Sequence, residues 1–290
     1  MAKAARKIRL SPRKQAWAGK FKPKQLRGAV LRPSAGVAAR YNRSLQALID
    51  LMLRETQREV EKLFTSPVAI ESHVTTDASI SSQSRILMNG LISRFTVLFA
   101  QQAKPISERM VKQSEKNSST DLKSSLKEIS GNVTLKTDTL KSGPVADIAK
   151  ASVNESVTLI KSIPQRFLDK TAQAVSRSIT SGNGLQDLKP FFEKQKGITK
   201  RHAELMAEDQ TRKVYNGINR GRMEALGFTS FEWIHTGGSQ QPRQDHIDMS
   251  GNVYRFDNLP VIDERSGERG IPGQAPNCRC VMRPILSFER

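Results

Sequence analysis

From residue 199 to residue 226 the chain keeps a helical period, with Met206, Val214, Ile218 and Met223 on one side, and at Gly227 that period stops. Thr199 is placed to cap the start of this helix, and Gly227 falls just past its last turn, where a left-handed residue commonly ends a helix. Apolar and polar residues then alternate over residues 228–234, the period of a half-buried strand. A 3.6 period that gives way at a glycine to a period of two implies a long helix whose apolar stripe must be covered by a sheet. Gly237-Gly238 reads as a turn, and residues 253–256 and 279–286 read as two further strands. The fold class expected is α+β: a mostly helical N-terminal region followed by a small C-terminal domain with a long helix packed on a short antiparallel sheet.

The remainder of the chain is helical in pattern. Residues 36–64 carry Tyr41, Leu45, Leu48, Met52, Val60 and Phe64 at helical spacing and end at Ser66-Pro67. A second helix is expected over 79–116, kinked or broken at Pro105. Residues 117–143 are rich in Ser, Thr and Lys and read as a connection, with one short helical pattern around Leu122, Leu126 and Ile129. Three shorter helices follow at 145–162, 164–181 and 185–195. The stretch 257–277, rich in Gly, Pro and charge, reads as a long surface loop. These breaks divide the chain into a basic arm (1–35), a helical region with its connection (36–143) and a C-terminal domain (144–290).

Charge is the strongest constraint on partners. The first 49 residues hold thirteen Lys or Arg and no acid, so 34 basic and 28 acidic residues remain for the rest of a chain whose net charge is +19. An arm that neutralises phosphates gains affinity by counterion release without reading base sequence. Lys3, Arg6, Lys7, Arg9, Arg13, Lys14, Lys20, Lys22, Lys24 and Arg27 are therefore the candidate contacts to double-stranded DNA; an acidic protein surface fits the same charge. No apolar run approaches the length of a membrane span, and no signal-peptide core follows the first positive charges. The expectation is a protein made in the cytosol with no membrane partner.

The C-terminal third carries an ordered series of short motifs. Ile163-Pro164 leads in. The segment from His202 to Thr211, the run Asn219-Arg-Gly-Arg222, Ala225-Leu-Gly227 and Phe231-x-Trp233 follow, and then Arg243-x-x-His246, Gly251-Asn-Val-Tyr254 and Pro276-Asn-Cys-Arg-Cys280. In order and spacing this series resembles the phage head-morphogenesis family of Mu F-like minor head proteins, over about residues 163 to 284. The resemblance implies a minor capsid protein of a tailed double-stranded DNA phage. It would be associated with the portal protein, meet a major capsid or scaffolding protein, act in head assembly, and lie inside the virion head after assembly in the host cytoplasm. The stretch from His235 to Pro242 departs from the family's usual short acidic turn.

Within those motifs, His246, Cys278 and Cys280 are residue types that zinc accepts, and His235 or Asp248 would supply a fourth ligand. The alternative is that both cysteines are small reduced core residues and His246 a hydrogen-bonded structural histidine. The C-x-C spacing differs from the C-x2-C of a zinc ribbon, and head assembly requires no cofactor. A second functional class is a metal-dependent hydrolase or nuclease centred on His235 and His246 with Asp245 and Asp248 beside them. No nucleophile elbow, phosphate-binding loop or His-Glu-x-x-His names a reaction, so the expectation is a non-enzyme. Arg212, Arg220 and Arg222 read either as phosphate contacts or as an internal network with acids such as Asp209 and Glu224; the internal network is preferred.

Overall fold

The structure is a computed structural model that describes residues 25–65, 79–130, 143–238 and 242–287. Four long helices account for most of it: α1 (Ala35–Thr65), α2 (Ile80–Ser130), α3 (Pro144–Ser181) and α4 (Leu185–Ala225). Strand β1 (Gln25–Arg27) precedes them. After them come β2 (Ser230–Ile234), the short helix α5 (Gln244–Asp248), β3 (Val253–Arg255), β4 (Val261–Asp263), β5 (Glu268–Arg269) and β6 (Val281–Ser287). The class is α+β, as the change of period at Gly227 predicts.

Three prolines stand inside helices without ending them, which corrects the shorter helices expected from sequence. Pro105 is exposed, so the carbonyl its missing N–H leaves free on α2 faces water. Pro164 is buried within α3, and Pro190 lies early in α4. Thr199 is likewise interior to α4 and not a cap. The reason is an unbroken buried stripe through Leu188, Phe192, Ala203, Met206, Val214, Ile218 and Met223. Packing along that whole face outweighs the roughly 1 kcal/mol that Gly197 costs a helix interior.

The 117–143 connection is also corrected in part, since α2 runs on to Ser130. Its inward face joins serines to apolar residues at helical spacing: Ser107, Met110, Ser114, Ser118, Leu122, Ser125, Leu126 and Ile129 are all buried. Two of those hydroxyls are satisfied by distant parts of the chain: Ser118 Oγ donates to Asn219 Oδ1 (2.6 Å) and Ser125 Oγ to the Ala29 carbonyl (3.0 Å), whereas the Ser107 hydroxyl has no protein partner. A stripe in which serine replaces leucine carries a weak hydrophobic period, and this is why it reads as a loop.

By compactness the chain forms two units, each discontinuous in sequence. One comprises residues 39–108 and 153–207 and, in its described part, is entirely helical. Its interior is built from Leu45, Ile49, Met52, Phe95, Phe99, Ile160 and Leu168, and its surface is tied by the Lys200–Asp50 (2.6 Å) and Arg94–Glu55 (2.8 Å) ion pairs. The other comprises residues 1–38, 109–152 and 208–290 and contains both sheets. The boundaries read from sequence at residues 35 and 143 do not coincide with this division, because α2, α3 and α4 each contribute to both units.

In the second unit the main sheet is antiparallel in the order β1-β6-β2-β3, with Ile234 opposite Val281 and Phe231 opposite Pro284. Its core joins Phe231, Trp233 and Met282 of the sheet to Tyr215 and Met223 of α4 and to Leu122, Leu126 and Ile129 of α2. Strand β2 is buried along most of its length, so its one acid, Glu232, is paired to Arg283 (3.1 Å) and Arg27 (3.6 Å). The predicted surface loop at 257–277 contains the two-stranded ribbon β4-β5 and places Ile262, Ile271 and Ala275 in the same core. Gly273 has a left-handed backbone (φ 78°), and a Cβ there would meet the Asn216 amide, which donates to the Pro272 carbonyl (2.9 Å). Gly273→Ala is therefore expected to destabilise the fold by about 2 kcal/mol, read as a shift of the urea midpoint.

Candidate metal centre

The register of the sheet builds the first half of the site. One step beyond the Ile234–Val281 pair, antiparallel pairing carries His235 towards Cys280. The contact is present: His235 Nδ1 lies 3.6 Å from Cys280 Sγ.

The second half comes from α5. Here His246 is 3 % exposed and its ring stands edge-on to Trp233, 5.2 Å between centroids. Its Nε2 is 3.1 Å from the Ile262 carbonyl of β4. A carbonyl only accepts, so Nε2 carries a proton and Nδ1 is the ring nitrogen turned inward. That atom meets Cys278 Sγ at 3.3 Å and Cys280 Sγ at 3.8 Å. The ligand atoms of His246, Cys278 and Cys280 all lie within 4.8 Å of one another, and all three residues are buried. They line one side of a pocket of about 290 Å³, with His235, Arg243 and Arg279 also on its wall.

A turn held from three directions brings the two sulfurs together. Asn277 adopts a left-handed conformation (φ 58°), which asparagine tolerates better than most residues, and its N–H donates to Asp209 Oδ1 of α4 (2.8 Å). Arg243 donates to the Pro276 carbonyl (3.1 Å), and the Cys278 N–H closes on the Ala275 carbonyl (3.0 Å). Arg279 pairs with Glu208 of α4 (3.5 Å), and Thr236 Oγ1 donates to the Arg279 carbonyl (2.7 Å). The sequence motifs thus converge in space: Glu208 and Asp209 of the His202–Thr211 segment, Arg243, His246 and the Pro-Asn-Cys-Arg-Cys turn are one structure.

Electrostatics follow from these contacts. Hydrogen bonding with Cys280, then with His246, holds the Cys278 thiol well below its ordinary value. The same contact with Cys278, reinforced by burial, pushes the Cys280 thiol up. The Cys278 sulfur in turn raises His246 above the usual histidine value.

The other expected site residues separate clearly. Lys3, Arg6, Lys7, Arg9, Arg13, Lys14, Lys20, Lys22 and Lys24 lie outside the described residues. Arg27, read as part of the arm, belongs instead to β1, and residues 25–35 are tied to the sheet through the Leu31–Met282 bridge and the fully buried Leu31. Of the two options for a fourth ligand, His235 meets a sulfur, whereas Asp248 is exposed and accepts from Gln244 (2.9 Å). Asp245 accepts from the backbone N–H of His246 (2.9 Å), and among the described residues no carboxylate joins the cluster. Of the arginines of α4, only Arg222 is buried and makes the expected internal pairing, with Glu115 of α2; Arg212 pairs with Glu208 (3.1 Å) at a part-buried position, and Arg220 pairs with Glu224 (3.1 Å) on the surface. Asp209 pairs with Lys213 (3.1 Å). Sequence reading missed the Ile262 carbonyl and the Asp209 clamp on Asn277; neither leaves a mark in residue spacing.

Comparison with known proteins bears on the same segment. The chain is 27% identical over 206 residues to an uncharacterized protein of Haemophilus influenzae (strain ATCC 51907 / DSM 11121 / KW20 / Rd), which covers 71% of this chain and 40% of that relative's length. No solved structure matches the chain. Residues 169–283 match the model of the Phage Mu protein F like protein family, a span that includes α4, the main-sheet strands β2 and β3, and all four residues of the His-Cys cluster. Residues 169–283 are the part of this chain that is similar to the Phage Mu protein F like family.

Proposed function

We propose that the protein is a minor capsid protein of a tailed double-stranded DNA phage, bound at or near the portal inside the head and acting in head assembly. The observation that carries this reading is the Mu F-like match over residues 169–283, the segment whose motifs gather around one buried cluster. The basic N-terminal stretch supports a further element: sequence-independent contact with packaged DNA. The mechanism is binding and placement, in which the sheet-bearing unit docks on the portal or a capsid or scaffolding protein and the arm engages phosphates.

The test uses the full chain and a full-length variant with Lys3, Arg6, Lys7, Arg9, Arg13, Lys14, Lys20, Lys22 and Lys24 changed to Gln. Arg27 is left in place because β1 is part of the sheet. Both proteins are expected to co-purify with the portal protein of the same phage. Only the unaltered chain is expected to hold duplex DNA, with affinity falling on the order of a thousandfold between 50 and 200 mM salt if about six phosphates are neutralised. Failure of both to hold the portal sinks the assembly reading; equal DNA binding by both sinks the role of the arm.

A further inference from the structure

We propose that His235, His246, Cys278 and Cys280 form a tetrahedral zinc site that staples the end of β2, the helix α5 and the turn before β6 to one another. Zinc binds thiolate sulfur at about 2.3 Å and imidazole nitrogen at about 2.0–2.1 Å, so in a tetrahedral site a sulfur and a nitrogen ligand stand about 3.6 Å apart. Three of the four sulfur–nitrogen distances here are 3.3, 3.6 and 3.8 Å. The ligand atoms of His246, Cys278 and Cys280 lie within 4.8 Å of one another, and His235 joins them through Cys280.

The orientation of His246 points the same way. A metal-bound histidine commonly donates its other ring N–H to a carbonyl or carboxylate, which fixes tautomer and ring plane. His246 does this with the Ile262 carbonyl and turns Nδ1 to both sulfurs. If the cysteines were ordinary core thiols, one lone pair on Nδ1 would serve two S–H groups in a place that is at most 3 % exposed. A dipositive ion removes the conflict: both thiols become thiolates, their charge is cancelled, and each nitrogen lone pair has a partner.

The site also has a structural task. Four ligands drawn from three segments would join the end of β2, α5 and the turn before β6, and metal binding then contributes directly to folding. All four positions are taken by protein side chains, which is the composition of a structural zinc site and not of a catalytic one with an open position.

The experiment uses the full chain, purified under reducing conditions, stripped with a chelator and titrated with cobalt(II), then with zinc(II). One equivalent of cobalt is expected per chain, with a sulfur-to-cobalt charge-transfer band and intense tetrahedral visible bands that zinc abolishes. Zinc is expected to raise the thermal midpoint. His235→Ala, at a partly exposed position, should still fold and bind cobalt, with an altered visible spectrum and at least about tenfold weaker retention against a competing chelator. Asp248→Ala should match the unaltered chain, and Cys278→Ser/Cys280→Ser should lose the charge-transfer band. The proposal is overturned if the folded wild-type chain takes up no cobalt, if the double cysteine variant binds as tightly as wild type, or if Asp248→Ala and not His235→Ala weakens binding. Should the cysteine variant fail to fold, the wild-type titration and His235→Ala decide the matter. Metal occupancy and portal retention are separate readouts, so either reading can fail alone.

Discussion

Arg222→Ala is expected to lower the stability of the sheet-bearing unit by about 3–5 kcal/mol, the scale for removing one partner of a buried ion pair. The Arg222 side chain is 4% exposed, and its guanidinium donates to the Glu115 carboxylate, to the Glu115 backbone carbonyl (3.1 Å) and to Ser118 Oγ (2.8 Å). Ser118 in turn donates to Asn219, so one deletion takes a donor from buried Ser118 and from the part-buried Glu115 carboxylate and carbonyl. The control is Glu115→Gln with Arg222→Met, which removes both charges and fills the space with an apolar chain; it should recover most of the loss. Urea unfolding of the three proteins checks this through the midpoint at constant slope. A cost under about 1 kcal/mol for Arg222→Ala would mean that water replaces the guanidinium and that the network does not hold α2 against α4.

Trp233→Ala should be as damaging, at about 3–5 kcal/mol, with a fall in thermal midpoint on the order of 10 °C. Trp233 is fully buried at the centre of β2 and touches both Tyr254 and the His246 ring. Trp233→Phe is the milder change, since it keeps most of the packing and removes an indole N–H that has no hydrogen-bond partner. That variant should cost about 1 kcal/mol, from the packing loss alone. Circular dichroism melts of both variants against the unaltered chain give the comparison. Equal losses for Ala and Phe would place the effect in the N–H and not in the ring.

The sequence by itself determined the α+β class, because the 3.6 period before Gly227 and the two-residue period after it survive any arrangement of neighbours. It also named His246, Cys278 and Cys280 as a set, and the pairing of Arg220 with Glu224, since residue type and helical spacing are local properties. Helix lengths were not legible: Pro105, Pro164 and Gly197 look like breaks, and only burial of the continuous faces of α2, α3 and α4 overrides them. Neither the serine-lined inner face of α2 nor strand β1 could be read, because their partners, Asn219, Arg222 and Leu286, lie more than a hundred residues away in sequence. The choice of His235 over Asp248 was likewise decided by tertiary structure. It follows from the pairing of β2 with β6, a long-range register that places one side chain against a sulfur and leaves the other in solvent.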